Sequence, residues 1–219
     1  MNLKLSNLVT ASDCYKFAAD VVSGKIISGK KRIAACERFM QELEYSQDPD
    51  YRWKFDIDKA YHPIDFMERF MKPSKGDYDR LELLPWQHFV EGNLYGWVDK
   101  KTGLRRFREA LIVVGSGNGK STMIVGNAAY AASKDKENGA EIYTLANSKD
   151  QARIISNECK TQIDNSPLLR KHFRTTREGI FFDKTNSFIK SLATDSKNLD
   201  GLNVHLAVFD ELQDYTGYE

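Results

Sequence analysis

Val114-Gly115-Ser116-Gly117-Asn118-Gly119-Lys120-Ser121-Thr122 joins two segments of contrasting pattern in a chain of 219 residues. Before it runs Ala110-Leu111-Ile112-Val113-Val114, short, wholly apolar and rich in β-branched residues, the pattern of a buried parallel strand. After it, the residues from Ser121 to about Ser133 read as a helix. Glycines between a strand and a helix let the backbone turn several N–H groups toward one anion, and the helix offers that anion its positive end. Lys120 can then reach the β- and γ-phosphates of a nucleotide, and the Ser121 hydroxyl can ligate Mg²⁺. Gly115, Ser116, Gly117, Asn118, Gly119, Lys120, Ser121 and Thr122 are therefore the candidate ATP-binding residues. Where the strict G-x-x-x-x-G-K-[ST] pattern has its first glycine, this loop has Val114. The plainer reading is a glycine-rich turn with a surface lysine, and the flanking strand and helix argue against it.

Downstream, Glu141–Ala146 reads as a strand and Asp150–Ile163 as a helix with Ala152, Ile155 and Cys159 on one face. Ile180–Phe182 and Phe188–Leu192 form a second candidate strand pair across the polar turn Asp183–Asn186. His205-Leu206-Ala207-Val208-Phe209 is again a short apolar run, and it stops at Asp210-Glu211. Alternating strands and helices of this kind predict an α/β fold with a largely parallel sheet. In such a sheet ligands collect at the carboxyl ends of the strands, which aims Asp210 and Glu211 at the crevice of the glycine loop. Asp210 would hold Mg²⁺, and Glu211 would act as the base that prepares a water for attack. Upstream, Leu84-Pro85-Trp86-Gln87 places an amide, Gln87, whose donor and acceptor match the edge of adenine. Alone, Gln87 reads as a surface residue of an amphipathic helix.

The N-terminal part reads as helical. Tyr15, Ala18, Ala19 and Val22 recur at helical spacing behind Ser12-Asp13, and Ile33, Cys36, Met40 and Leu43 mark a second helix. A third, short one is expected between Pro63 and Pro73, and a further one over Leu81–Trp97, opened near Pro85. The turn formers of Met71–Asp77 give a boundary, with a helical region over residues 1–76 and an ATPase core over 77–219. Hydrophobic residues make up 41% and charged residues 29%, an ordinary globular balance. The longest apolar run is far short of a membrane span. A net charge of +1 gives no case for nucleic acid, and the basic runs Lys100–Arg108 and Arg170–Arg177 read most simply as solvated loops or helix ends. Cys14, Cys36 and Cys159 are odd in number and widely spaced, which fits a reducing cytoplasm better than a disulfide framework or zinc site.

With these residues in view, the chain resembles the large subunit of tailed-phage terminases. The resemblance spans most of the chain. Leu84-Pro85-Trp86-Gln87 looks like that family's adenine motif, and Gly117-Asn118-Gly119-Lys120-Ser121 like its phosphate loop. Ala146–Ala152 is similar to the segment after its second strand, and Asp200-Gly201-Leu202-Asn203 to its approach to the acidic pair. The resemblance implies a P-loop NTPase of the ASCE type, cut short on its C-terminal side, in which ATP and Mg²⁺ drive double-stranded DNA into a procapsid. It implies Gln87 at the adenine, Lys120 and Ser121 at the phosphates and metal, and Glu211 as catalytic carboxylate. It further implies a ring of large subunits, a portal protein and a small subunit as partners, in the host cytoplasm and with no membrane. Many members carry a basic residue early in the loop, where Ser116-Gly117 stands, so that charge would come from elsewhere. Arg153, Arg174, Arg177 and Lys197 are unranked candidates. No acid cluster for a nuclease is recognised here. Two other readings fit the same motifs: a helicase-like nucleic-acid-dependent ATPase, and a nucleotide-binding module that does not turn over when isolated.

Overall fold

The computed structural model describes residues 7–74, 76, 78–115, 117–146, 149–193 and 201–210. The chain folds as two compact units, one of residues 1–65 and 82–113, the other of residues 66–81 and 114–219.

In the first unit, α1 (Asn7–Thr10) leads into α2 (Asp13–Val22). Ser12 caps α2, its Oγ accepting from the Tyr15 N–H at 3.2 Å. The buried stripe of α2 is Cys14, Phe17, Ala18 and Val21, and Val22 is exposed. The expected stripe of Tyr15, Ala18, Ala19 and Val22 is thus out of phase by one position. Both sets satisfy the 3.6-residue period, and the bulk of Phe17 decides between them. α3 (Lys30–Tyr45) buries Cys36, Phe39 and Leu43. Phe39 is the hub of the aromatic core, with ring centroids 5.3 Å from Phe55, 5.4 Å from Phe89 and 6.2 Å from Trp97, all edge-on.

β1 (Trp53–Phe55) pairs antiparallel with β2 (Trp97–Asp99), a small sheet that periodicity did not reveal because each strand is only three residues long. α4 (Ile57–Phe70) runs through Pro63 and starts well before the expected bound. Its missed start signal is Asp56, whose Oδ1 accepts from the Lys59 N–H at 3.2 Å. α5 (Pro85–Gly96) opens with proline at its first turn, where the missing N–H costs nothing. It packs through glycines: a Cβ on Gly92 would lie 2.1 Å from the Cys14 Sγ, and one on Gly96 2.6 Å from the Phe55 ring.

The second unit is built on α6 (Lys120–Ser133), β3 (Glu141–Ala146), α7 (Lys149–Asn165), a short 3-10 turn at Leu169–Lys171, β4 (Arg174–Thr175), β5 (Ile180–Phe182), β6 (Ser187–Ala193) and β7 (Val204–Phe209). The five strands lie in the order β4-β5-β6-β3-β7. β6, β3 and β7 are parallel, whereas β4, β5 and β6 pair antiparallel, so the sheet is mixed and not largely parallel. Short connections force this: a parallel partner needs a crossover, and the turn between β5 and β6 has no room for one. α6 buries Met123, Val125, Gly126 and the run Ala128–Ala132, and Gly126 leaves room for the Met67 thioether. On α7, Glu158 Oε1 accepts from Gln162 Nε2 at 2.7 Å and from the Ser74 hydroxyl, tying the turn before α5 to this helix.

The expected strand at Ala110–Val114 does not form. Residues 109–115 carry no ladder, and Leu111 and Val113 are 75% and 83% exposed. An apolar, β-branched pattern encodes a preference for burial, while a strand also needs a neighbouring edge to pair with. No helix among the described residues is long and apolar enough to cross a membrane.

Gly92→Ala should force its new methyl into the fully buried Cys14 thiol and lower stability by about 1–3 kcal/mol. Thermal denaturation checks this, and adding Cys14→Ala should recover most of the loss. A double variant no more stable than Gly92→Ala would show that the close approach is not the cause.

Candidate functional site

The loop before α6 is shaped by two glycines. Gly117 has φ +78° and Gly119 φ +75°, a region that side chains with a Cβ rarely adopt. Asn118 braces the turn, its Nδ2 donating to the Gly115 carbonyl at 3.1 Å. Gly119 is the N-cap of α6, and its carbonyl takes the first helical bond, from the Met123 N–H at 3.1 Å. It supplies no side-chain cap, and the first turn of the helix carries the positive end of the helix dipole. Lys120 and Ser121 are the first two residues of the helix; Ser121 is exposed and Thr122 half-buried. Ser116 lies outside the described residues.

β7 brings the acid. It pairs with β3 as far as Leu145 with Phe209, and the Asp210 N–H extends the ladder by donating to the Leu145 carbonyl at 3.2 Å. Asp210 therefore sits at the carboxyl end of a parallel strand, as the sequence order implied. Its Oδ1 lies 3.2 Å from Lys120 Nζ, with the side chains 14% and 28% exposed respectively. That same Oδ1 is buried and has no hydrogen-bond partner among the described residues, so the contact is one of charge without donor alignment. A buried carboxylate oxygen left without a hydrogen bond, together with the exposed Ser121 hydroxyl, is a donor set that suits a hard cation such as Mg²⁺. Glu211, the expected catalytic base, lies outside the described residues.

Gln87 lies in the first unit, on α5, and is 4% exposed. Its Oε1 accepts from the Leu84 N–H at 2.7 Å, so the amide caps the start of its own helix and is held in a fixed orientation. One turn further on, Glu91 is fully buried, a residue the sequence reading passed over. A lone charge among the apolar residues of this helix was the available signal. The basic runs are largely engaged: Arg106 pairs with both oxygens of Glu42 at 2.8 and 2.9 Å, and Arg174 with both of Asp183 at 2.8 and 3.1 Å. Arg153 and Arg177 are exposed, and Lys197 lies outside the described residues. Burial pushes the Cys14 and Cys159 thiols up to about 12 and Cys36 to about 11, which makes them inert packing groups.

Comparison with known proteins gives a consistent result. The family model described as "Terminase large subunit, ATPase domain" matches residues 85–219. Terminase large subunits of Lactococcus phages p2 and SK1 are each 25% identical over 174 residues, covering 75% of this chain and 32% of the relative. The large terminase of bacteriophage HK97 is structurally similar, with a TM-score of 0.62 and 25% identity over 73% of this chain and 32% of that one. The chain thus spans about a third of the length of these relatives.

A phosphate approaching Lys120 would meet the like charge of Asp210 beside it. Asp210→Asn should therefore bind Mg²⁺-free ADP about fivefold more tightly than the unmodified chain, or about 1 kcal/mol. Calorimetry measures this; equal or weaker binding would mean that Asp210 does not oppose the phosphate.

Proposed function

The chain belongs to the terminase large subunit family, matched over its ATPase domain, and on that premise we propose that it carries the ATP-hydrolysing site of a DNA-packaging motor. The single observation that carries the residue assignment is the approach of Lys120 to Asp210, which joins the start of α6 to the end of β7. The reading is of a P-loop NTPase of the ASCE type, with the ATPase core over residues 77–219 and a helical region over 1–76. The family match begins at Pro85 and so takes in α5 and β2, which pack in the first unit.

In this reading the first-turn N–H groups of α6 and the Lys120 ammonium receive the β- and γ-phosphates of ATP, and the charge of Lys120 stabilises the transition state. Gly115 through Thr122 wrap the phosphates. Ser121 and Asp210 would hold Mg²⁺, which would supply positive charge to offset that of the phosphates. The Asp210 carboxylate that lies beside Lys120 is thus the group that would serve the metal. Glu211, the next residue, takes the proton of the attacking water. Two consecutive acids suit hydrolysis better than transfer to a second substrate, because water needs its own base. Gln87, oriented by its cap, reads adenine.

The loop brings only one cation, Lys120, so a further positive charge comes from a neighbouring subunit in a ring. Such a residue is worth roughly three to five orders of magnitude in rate in comparable enzymes, which predicts slow turnover by the isolated chain. Double-stranded DNA is the moved substrate, and the portal protein and terminase small subunit are the further partners, in the host cytoplasm.

Calorimetry with Mg²⁺ and nucleotide tests the division of labour. Lys120→Ala should lose binding, and Glu211→Gln should retain or tighten ATP binding while abolishing hydrolysis; three chains that bind alike would sink the assignment. Hydrolysis by the unmodified chain should rise on addition of DNA and full-length subunits, and no rise under either condition would count against a motor. Gln87→Glu keeps the acceptor for the Leu84 N–H but loses the amide donor. It also buries a carboxylate, so it should lower the melting temperature, and in the folded protein it should reduce the preference for ATP over GTP about tenfold. An unchanged preference would remove Gln87 from the site.

A further inference from the structure

β7 does not pair evenly with β3. Glu141 faces Val204, but the next residue of β3, Ile142, faces Leu206, so His205 is an extra residue inserted at a bulge. From there the register runs regularly, with Thr144 opposite Val208 and Leu145 opposite Phe209. The bulge has a consequence at the other end of the strand. Side chains alternate across a sheet, so a one-residue change of register moves every later side chain to the opposite face. Were the ladder regular from the pairing of Glu141 with Val204 onward, Ile142 would face His205 and Leu145 would face Val208. Asp210 would then lie one residue, about 3.3 Å, further along and on the other face from the one where it meets Lys120.

The inserted residue is anchored. His205 Nε2 lies 2.9 Å from Asp135 Oδ2, with both side chains largely buried at 18% and 15% exposure. Asp135 follows directly on the C-cap residue of α6, Lys134. The segment is itself tied down: the Thr185 hydroxyl donates to the Ala132 carbonyl at 3.4 Å, and the Gly139 N–H to the Thr185 carbonyl at 2.7 Å. α6 and β7 are thus linked twice. Lys120 and Asp210 meet at one end, and Asp135 and His205 join the opposite ends of the same helix and strand.

We propose that His205 and Asp135 are positioning residues of the ATP site: by pinning the bulge to the end of α6 they fix the phase of β7 and hold Asp210 on the face of Lys120. This rests on the P-loop reading above. Neither residue touches nucleotide or metal, and bulges that re-aim a side chain beside an active site are a recurrent device.

The test is the ratio of ADP affinities with and without Mg²⁺, measured by calorimetry on the folded chain beside its melting temperature. His205→Ala should lower that ratio about tenfold, toward the value for Asp210→Asn, because the metal-binding carboxylate is no longer held in phase. His205→Gln, which keeps a donor at similar reach, should restore most of it. A role in stability alone would lower the melting temperature and leave the ratio of the folded protein unchanged, and that outcome overturns the proposal. Should His205→Ala fail to fold, Asp135→Asn and His205→Gln decide: a lowered ratio in the first with recovery in the second supports the pinning, and unaltered ratios in both overturn it. Lys120→Ala separates the two levels. If it binds ADP as the unmodified chain does, the P-loop reading fails and takes this proposal with it. If it loses binding while His205→Ala keeps its ratio, only the positioning role falls.

Discussion

The ammonium of Lys120 and the carboxylate of Asp210, 3.2 Å apart, come from residues far apart in the chain, and most of the second unit is arranged so that they meet. Lys120 is placed by a helix that can begin only where the backbone passes through two left-handed glycines. Asp210 is placed by a strand whose parallel ladder with β3 runs up to the Asp210 N–H itself. A partly buried ion pair of this kind is weak evidence for stability, since desolvation offsets much of the attraction. Its value, in the proposed ATP site, lies in holding two groups, each costly to leave alone, beside the place where phosphate and metal would bind.

The first unit follows a different logic. Its core is a cluster of aromatic edges around Phe39, and its helices approach closely because Gly92 and Gly96 present no Cβ to Cys14 and Phe55. The cysteines are filler in this packing, not chemistry. Polar groups are admitted where a turn or cap needs them: Asp99 accepts from the N–H groups of Lys101 and Thr102, and Gln87 from that of Leu84. Charges in the basic stretch after β2 are likewise spent locally, Arg106 on Glu42 and Lys100 on the Asp48 carbonyl.

Several elements were legible from local pattern. The helix after the glycine loop, the strand at Glu141–Ala146 and the hairpin across Asp183–Asn186 stand where periodicity and turn residues put them. The misreadings share one origin. At Ala110–Val114 the apolar run had the composition of a strand but pairs with no strand among the described residues. On α2 two stripes fitted the same period, and packing around Phe17 chose the other one. For Gln87 the surface position expected from the pattern alone gave way to burial, because the three-residue spacing back to Leu84 makes its amide a cap.

What the sequence determined by itself is local backbone chemistry. Gly117 and Gly119 permit the left-handed turn, Lys120 and Ser121 follow at the helix start, and an apolar run ends in Asp210, all within a few residues of one another in each case. The tertiary structure alone decided which face Asp210 occupies, which strands run antiparallel, and that His205 joins Asp135. Those are questions of register and pairing, settled by hydrogen bonds between segments distant in the chain, and a two-residue side-chain period carries no information about the partner strand.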